Sequence, residues 1–84
     1  MPYSLKIKQS AFKELQRFNK PDQKRLVEAI DKLTDNPHIG KLLKGELFGL
    51  RRIRVGSFRI IYEINEGEVL ILVLRVAHRK DVYR

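Results

Sequence analysis

The chain has 84 residues, too few for a second core, and reads as one domain over residues 1–84. Its 18 Lys and Arg against 10 Asp and Glu leave a net charge of +8, a sign that points to nucleic acid, an anionic surface or an acidic partner. The absence of cysteine excludes disulfides, thiolate catalysis and cysteine-based metal sites, and no apolar run approaches the length of a membrane span.

Residues 2–8 alternate Tyr3, Leu5 and Ile7 against Ser4, Lys6 and Lys8, the pattern of a half-buried strand. Ser10 stands as the expected N-cap of a first helix. Its apolar stripe of Phe12, Leu15 and Phe18 is expected in the core, with Lys13, Glu14 and Arg17 toward solvent. Asn19-Lys20-Pro21 ends that helix and opens a second over 21–34, where Leu26, Ile30 and Leu33 recur at helical spacing. Asp35-Asn36-Pro37 stops it. Residues 38–47 read as a loop with Lys41 and Lys44 exposed. His38 has no second histidine nearby, and no acidic cluster accompanies either histidine, so no metal site and no cofactor are expected.

Three strands follow, over 47–55, 58–64 and 69–76. Phe58, Ile60, Tyr62 and Ile64 form one inner face, joined by Ile53 and Val55. Val69 to Leu74 is apolar on both faces, as suits a central strand. The order predicts an α+β, two-layer fold: strand–helix–helix–three-stranded antiparallel meander. With no apparent leader segment, a soluble cytoplasmic protein with no membrane association is expected.

Between the first two strands of the meander lies Gly56-Ser57, a pair suited to a two-residue hairpin turn. Such a turn sets Val55 opposite Phe58 and Arg54 opposite Arg59, with Arg52 on the same face because side chains alternate with period two. Like charges facing each other across strands are destabilising by up to about 1 kcal/mol. Three guanidinium groups concentrated on one patch therefore imply a polyanionic ligand. Arg75 joins this face if the loop around Gly67 has three residues, with Gly67 left-handed, and not if it has two or four. The remaining cations near the patch, Lys41, Lys44, Arg51, Arg75 and Lys80, are expected to contact the same ligand. The tail, Arg75 to Arg84, carries His78, Arg79, Lys80 and Tyr83 at the end of the central strand, where they are expected to border the arginine face.

Taken together, Arg52-Ile53-Arg54, the Gly56-Ser57 turn, Phe58-Arg59-Ile60-Ile61-Tyr62 and His78-Arg79-Lys80-Asp81-Val82-Tyr83 closely resemble the RelE/ParE toxin superfamily, on its RelE side. The resemblance extends to Ala11-Phe12-Lys13-Glu14-Leu15 and Leu43-Lys44-Gly45. It implies a toxin of a type II toxin–antitoxin pair that enters the ribosomal A site and cleaves mRNA there without metal, the RNA 2′-hydroxyl attacking the adjacent phosphate. It also implies RNA and ribosome contacts and a heteromeric complex with a cognate antitoxin, an acidic or amphipathic segment. The family's functional positions fall on Arg52, Arg54, Arg59, Arg79 and Tyr83.

Two of these depart from the better-described members, which carry lysine where Arg52 and Arg54 stand. Arginine does not give up its proton, so the general base passes to His78 or Tyr83. Two other functions compete with this one: a ParE-like gyrase inhibitor, which shares the fold, and a non-catalytic basic RNA-binding module.

Overall fold

A computed structural model describes residues 3–78. The strand β1 (Ser4–Ile7) is followed by the helices α1 (Gln9–Gln16) and α2 (Lys20–Leu33). A 3-10 turn at Pro37–Ile39 leads to the two-residue strand β2 (Lys41–Leu42), and a second 3-10 turn at Gly45–Leu47 leads to the meander. The meander strands are β3 (Arg51–Val55), β4 (Phe58–Asn65) and β5 (Leu70–His78). The sheet order is β1-β5-β4-β3-β2, with β1 parallel to β5 and the other neighbours antiparallel.

The two helices cover one face of this sheet. Their Ala11, Leu15, Leu26, Ile30 and Leu33 pack on Phe58, Ile60, Tyr62, Ile71, Val73 and Val76, all buried. Each such side chain contributes roughly 1.5–3 kcal/mol on leaving water. That sum, and not helix propensity, holds helices of 8 and 14 residues in place.

Several expectations are corrected. Helix α1 starts at Gln9 with Lys8 as its N-cap, not at Ser10. The Lys8 N–H still pairs with the Val73 carbonyl of β5 while the Lys8 carbonyl accepts from Phe12 N–H, so the chain passes from strand to helix with no residue left over for a side-chain cap. Asn19 caps α2 instead, its side chain accepting from the Asp22 N–H at 2.9 Å. Phe12 is 46% exposed and outside the core, whereas Phe18 packs edge-on against Phe58 with ring centroids 4.7 Å apart. The 38–47 loop contains β2, the strand expected from residue 47 begins at Arg51, and β5 continues to His78.

One clasp joins the sheet to the connection after α2. The buried Tyr62 hydroxyl donates to the Pro37 carbonyl at 2.5 Å and accepts from the Gly40 N–H at 3.1 Å. Gly40 is needed here for space, since a Cβ would lie 2.2 Å from the Tyr62 oxygen. Burial raises the Tyr62 pKa above its ordinary 10.0, against the lowering effects of the Gly40 hydrogen bond and the Arg51 charge.

Tyr62→Phe leaves two buried backbone groups without a partner and is expected to lower stability by about 1–3 kcal/mol, read from urea unfolding. The folded state favours the neutral phenol. The hydroxyl's contribution is therefore complete below its ordinary pKa of 10.0 and fades as pH rises through the raised folded value. The stability gap between wild type and Tyr62→Phe should accordingly narrow above that pH.

Candidate functional site

The face of the sheet away from the helices carries the cations. Gly56 has φ +58, which places the left-handed residue first in the Gly56-Ser57 turn and gives the register Val55 opposite Phe58, Arg54 opposite Arg59 and Arg52 opposite Ile61. Directly opposed side chains start about 4.5–5.5 Å apart, so the Arg54 and Arg59 stems run side by side. Arg52 follows on the same face, its Nε buried with no hydrogen-bond partner among the described residues. Lys41 is opposite Arg52 across the β2–β3 pair and shares that face. Arg54, Gly56, Phe58 and Arg59 line a cavity of about 330 Å³ at the hairpin tip.

Arg75 also reaches this face, by a route the loop argument did not contain. The β4–β5 connection is four residues long (66–69), and the left-handed residue in it is Val69 at φ 53, not Gly67. A four-residue loop alone would turn Arg75 toward the helices. The register shifts between Ile61 and Tyr62, however. Tyr62 faces Val73 while Ile61 faces Arg75, so Leu74 is an extra residue in β5. This β-bulge reverses the parity of everything after it. Arg75 thus lies in one row with Ile61, Arg52 and Lys41.

The guanidinium of Arg75 is held by Glu14 of α1. Nε and Nη2 donate to Glu14 Oε2 at 3.2 and 3.1 Å, and the Val76 N–H donates to Oε1 at 3.0 Å. β1 pairs with β5 only as far as Val73, and beyond it the Glu14 carboxylate takes the place of a missing strand. Glu14, expected in solvent, is half-buried and part of the site's support. Its signal was present in the sequence: it lies three residues after Ala11 and four before Phe18, on the buried side of α1.

Two expected members do not join the face. Arg51 is opposite the buried Tyr62, on the helix side, and its Nη1 donates to the Gly40 carbonyl at 2.8 Å. One residue out of phase with Arg52, it stabilises the 37–40 connection. His78 is opposite Phe58, also on the helix side, with the two rings edge-to-face at 5.2 Å. The expectation that His78 borders the arginine face is therefore corrected; the bulge that brings Arg75 to that face sends His78 to the other. Lys44 lines a cavity beside Arg75 on the arginine side. Arg79, Lys80 and Tyr83 lie outside the described residues.

A family model described as "ParE toxin of type II toxin-antitoxin system, parDE" matches residues 5–83. The chain belongs to the RelE/ParE toxin superfamily. Toxin RelG of Mycobacterium tuberculosis is 34% identical over 86 residues, covering 100% of this chain and 99% of RelG. The toxin–antitoxin complex RelBE2 of M. tuberculosis matches in structure with a TM-score of 0.88 at 30% identity, over 94% of this chain and 100% of that one. The archaeal RelE–RelB complex of Pyrococcus horikoshii matches with a TM-score of 0.77 at 31% identity, over 98% and 100%. The protein is a RelE-family toxin of a type II toxin–antitoxin system.

In this toxin Arg54 and Arg59 are like charges set directly opposite each other across the hairpin. Arg54→Gln is expected to leave stability unchanged or raise it by up to about 1 kcal/mol. Adding salt should stabilise the wild type more than the variant. Thermal unfolding at two ionic strengths measures both effects.

Proposed function

We propose that the toxin is a metal-independent endoribonuclease that cuts mRNA in the ribosomal A site and so stops translation. The observation that carries this reading is Arg54 opposite Arg59, with Arg52 on the same face. Phosphodiester transfer builds negative charge on the non-bridging oxygens, and preorganised guanidinium groups stabilise that charge in the transition state. The RNA 2′-oxygen attacks the adjacent phosphorus and the bond to the 5′-oxygen breaks, giving a 2′,3′-cyclic phosphate and a 5′-hydroxyl. The attacking hydroxyl loses a proton and the leaving oxygen gains one.

The arginines stabilise charge and position the phosphate; they do not accept the proton. With His78 on the helix side, proton transfer is assigned to Tyr83, and the family resemblance further assigns Tyr83 to an unstacked base and Arg79 to the phosphate. Lys41 and Lys44 extend the cationic track along the RNA. Because the matched complexes are of RelE with RelB, and of RelBE2, the partner proposed for this toxin is likewise an antitoxin. An acidic or amphipathic segment suits the +8 charge and the exposed Phe48.

Purified toxin added to translating ribosomes is expected to produce A-site cuts by primer extension. Arg54→Ala should lower the single-turnover rate at saturating ribosome by about 10²-fold or more. An unchanged rate with weakened binding would support a non-catalytic RNA-binding module. The family model's ParE description favours one competing activity, and no cleavage together with poisoning of gyrase would establish that reading instead.

A further inference from the structure

Along the row Lys41–Arg52–Ile61–Arg75, the surface drops at Ile61 into a cavity of about 510 Å³. Ile61 is 2% exposed and lies outside the main core; with Leu47, Leu50 and Leu74 it gives the cavity an apolar lining. Lys8, Lys44 and Glu46 supply polar groups, and Arg75 stands where the cavity meets the arginine face. Two backbone devices build it. The bulge puts Leu74 in the wall, and the 3-10 turn that carries Glu46 and Leu47 opens on the left-handed Gly45 and is followed by the left-handed Gly49.

We infer that this cavity receives the base of the nucleotide next to the scissile phosphate, and that Lys44 and Glu46 read its edge. The inference rests on the RNA-cleavage reading of the arginine face and names a specificity pocket for it. Continuity is the first argument. Ile61 is the direct cross-strand neighbour of Arg52, and adjacent strands lie only about 4.8 Å apart, so the cavity begins one strand spacing from Arg52. Character is the second. An apolar floor suits the face of a ring, and three cations against one acid at the rim suit the sugar–phosphate backbone that carries it.

The third argument is selectivity. A carboxylate accepts hydrogen bonds from the exocyclic amino groups of adenine, cytosine and guanine, whereas uracil has no amino group and offers a single ring N3–H. Lys44 donates to ring nitrogens or carbonyls on the same edge. Single-stranded RNA presents these edges once its bases are splayed apart.

The test uses full-length toxin on ribosomes programmed with messages that differ only at the bases flanking the cut. Wild type is expected to favour an amino-bearing base over uracil at one flanking position. Glu46→Gln should flatten that preference by about fivefold to tenfold, because the amide replaces one acceptor with a donor. Leu50→Phe, which narrows the cavity without touching the arginines, should slow cleavage next to a purine more than next to a pyrimidine. Ratios between messages are insensitive to the fraction of toxin that folds. If wild type cuts and both variants keep its ratios, the inference is overturned and the cleavage reading stands. Should the variants weaken antitoxin binding with ratios unchanged, the cavity is an antitoxin subsite and the inference is likewise overturned. If wild type cuts none of the messages, the cleavage reading itself fails and takes the inference with it.

Discussion

The register of the β3–β4 hairpin is the constraint on which the rest depends. With Val55 opposite Phe58, every even-numbered arginine of the hairpin's first strand points away from the helices. A slip of one residue would drive Arg52 and Arg54 into the core and turn Ile53 and Val55 out. The magnitudes show why the native register wins. Ile60, Tyr62 and Val76 are fully buried, each stabilising the fold by roughly 1.5–3 kcal/mol, while opposing Arg54 and Arg59 costs at most about 1 kcal/mol. The apolar face can thus carry the strain of the cationic one.

The bulge in β5, the end of its pairing with β1 and the ion pair with Glu14 act as one feature. Pairing with β1 stops at Val73, the extra residue is Leu74, and from Arg75 onward α1 covers the strand edge. An uncovered edge here would expose backbone groups to pairing with another chain. Glu14 satisfies the Val76 N–H and fixes Arg75 in the same step. A single carboxylate therefore closes the edge and brings one cation into the arginine row in a fixed orientation.

The hairpin and its arginine face were legible from local pattern alone, because a Gly-Ser pair between alternating segments leaves one register. The helices were legible from Leu26, Ile30 and Leu33 and from Asn19-Lys20-Pro21, apart from the cap position. What could not be read depends on contacts distant in sequence. β2 exists because residues 41 and 42 find β3, and the exposure of Phe12 follows from how α1 lies on β5. Arg75's face depended on a bulge, which loop length does not reveal. Arg51 and His78 are each one residue out of phase with the arginine face, and side-chain parity, not charge, decides which face they take. The positions of Arg79 and Tyr83 rest on the family resemblance.

A face built from arginine has a chemical consequence. Guanidinium groups do not serve as proton acceptors, so on the cleavage reading the arginines hold the phosphate by charge and geometry alone. In a lysine-bearing site one side chain can hold the anion and also accept a proton. Here those duties separate. β5 extends to His78, opposite Phe58 and one position from the Arg54–Arg59 pair. On the proposed cleavage reading, charge stabilisation is fixed by the hairpin register and proton transfer falls to another residue.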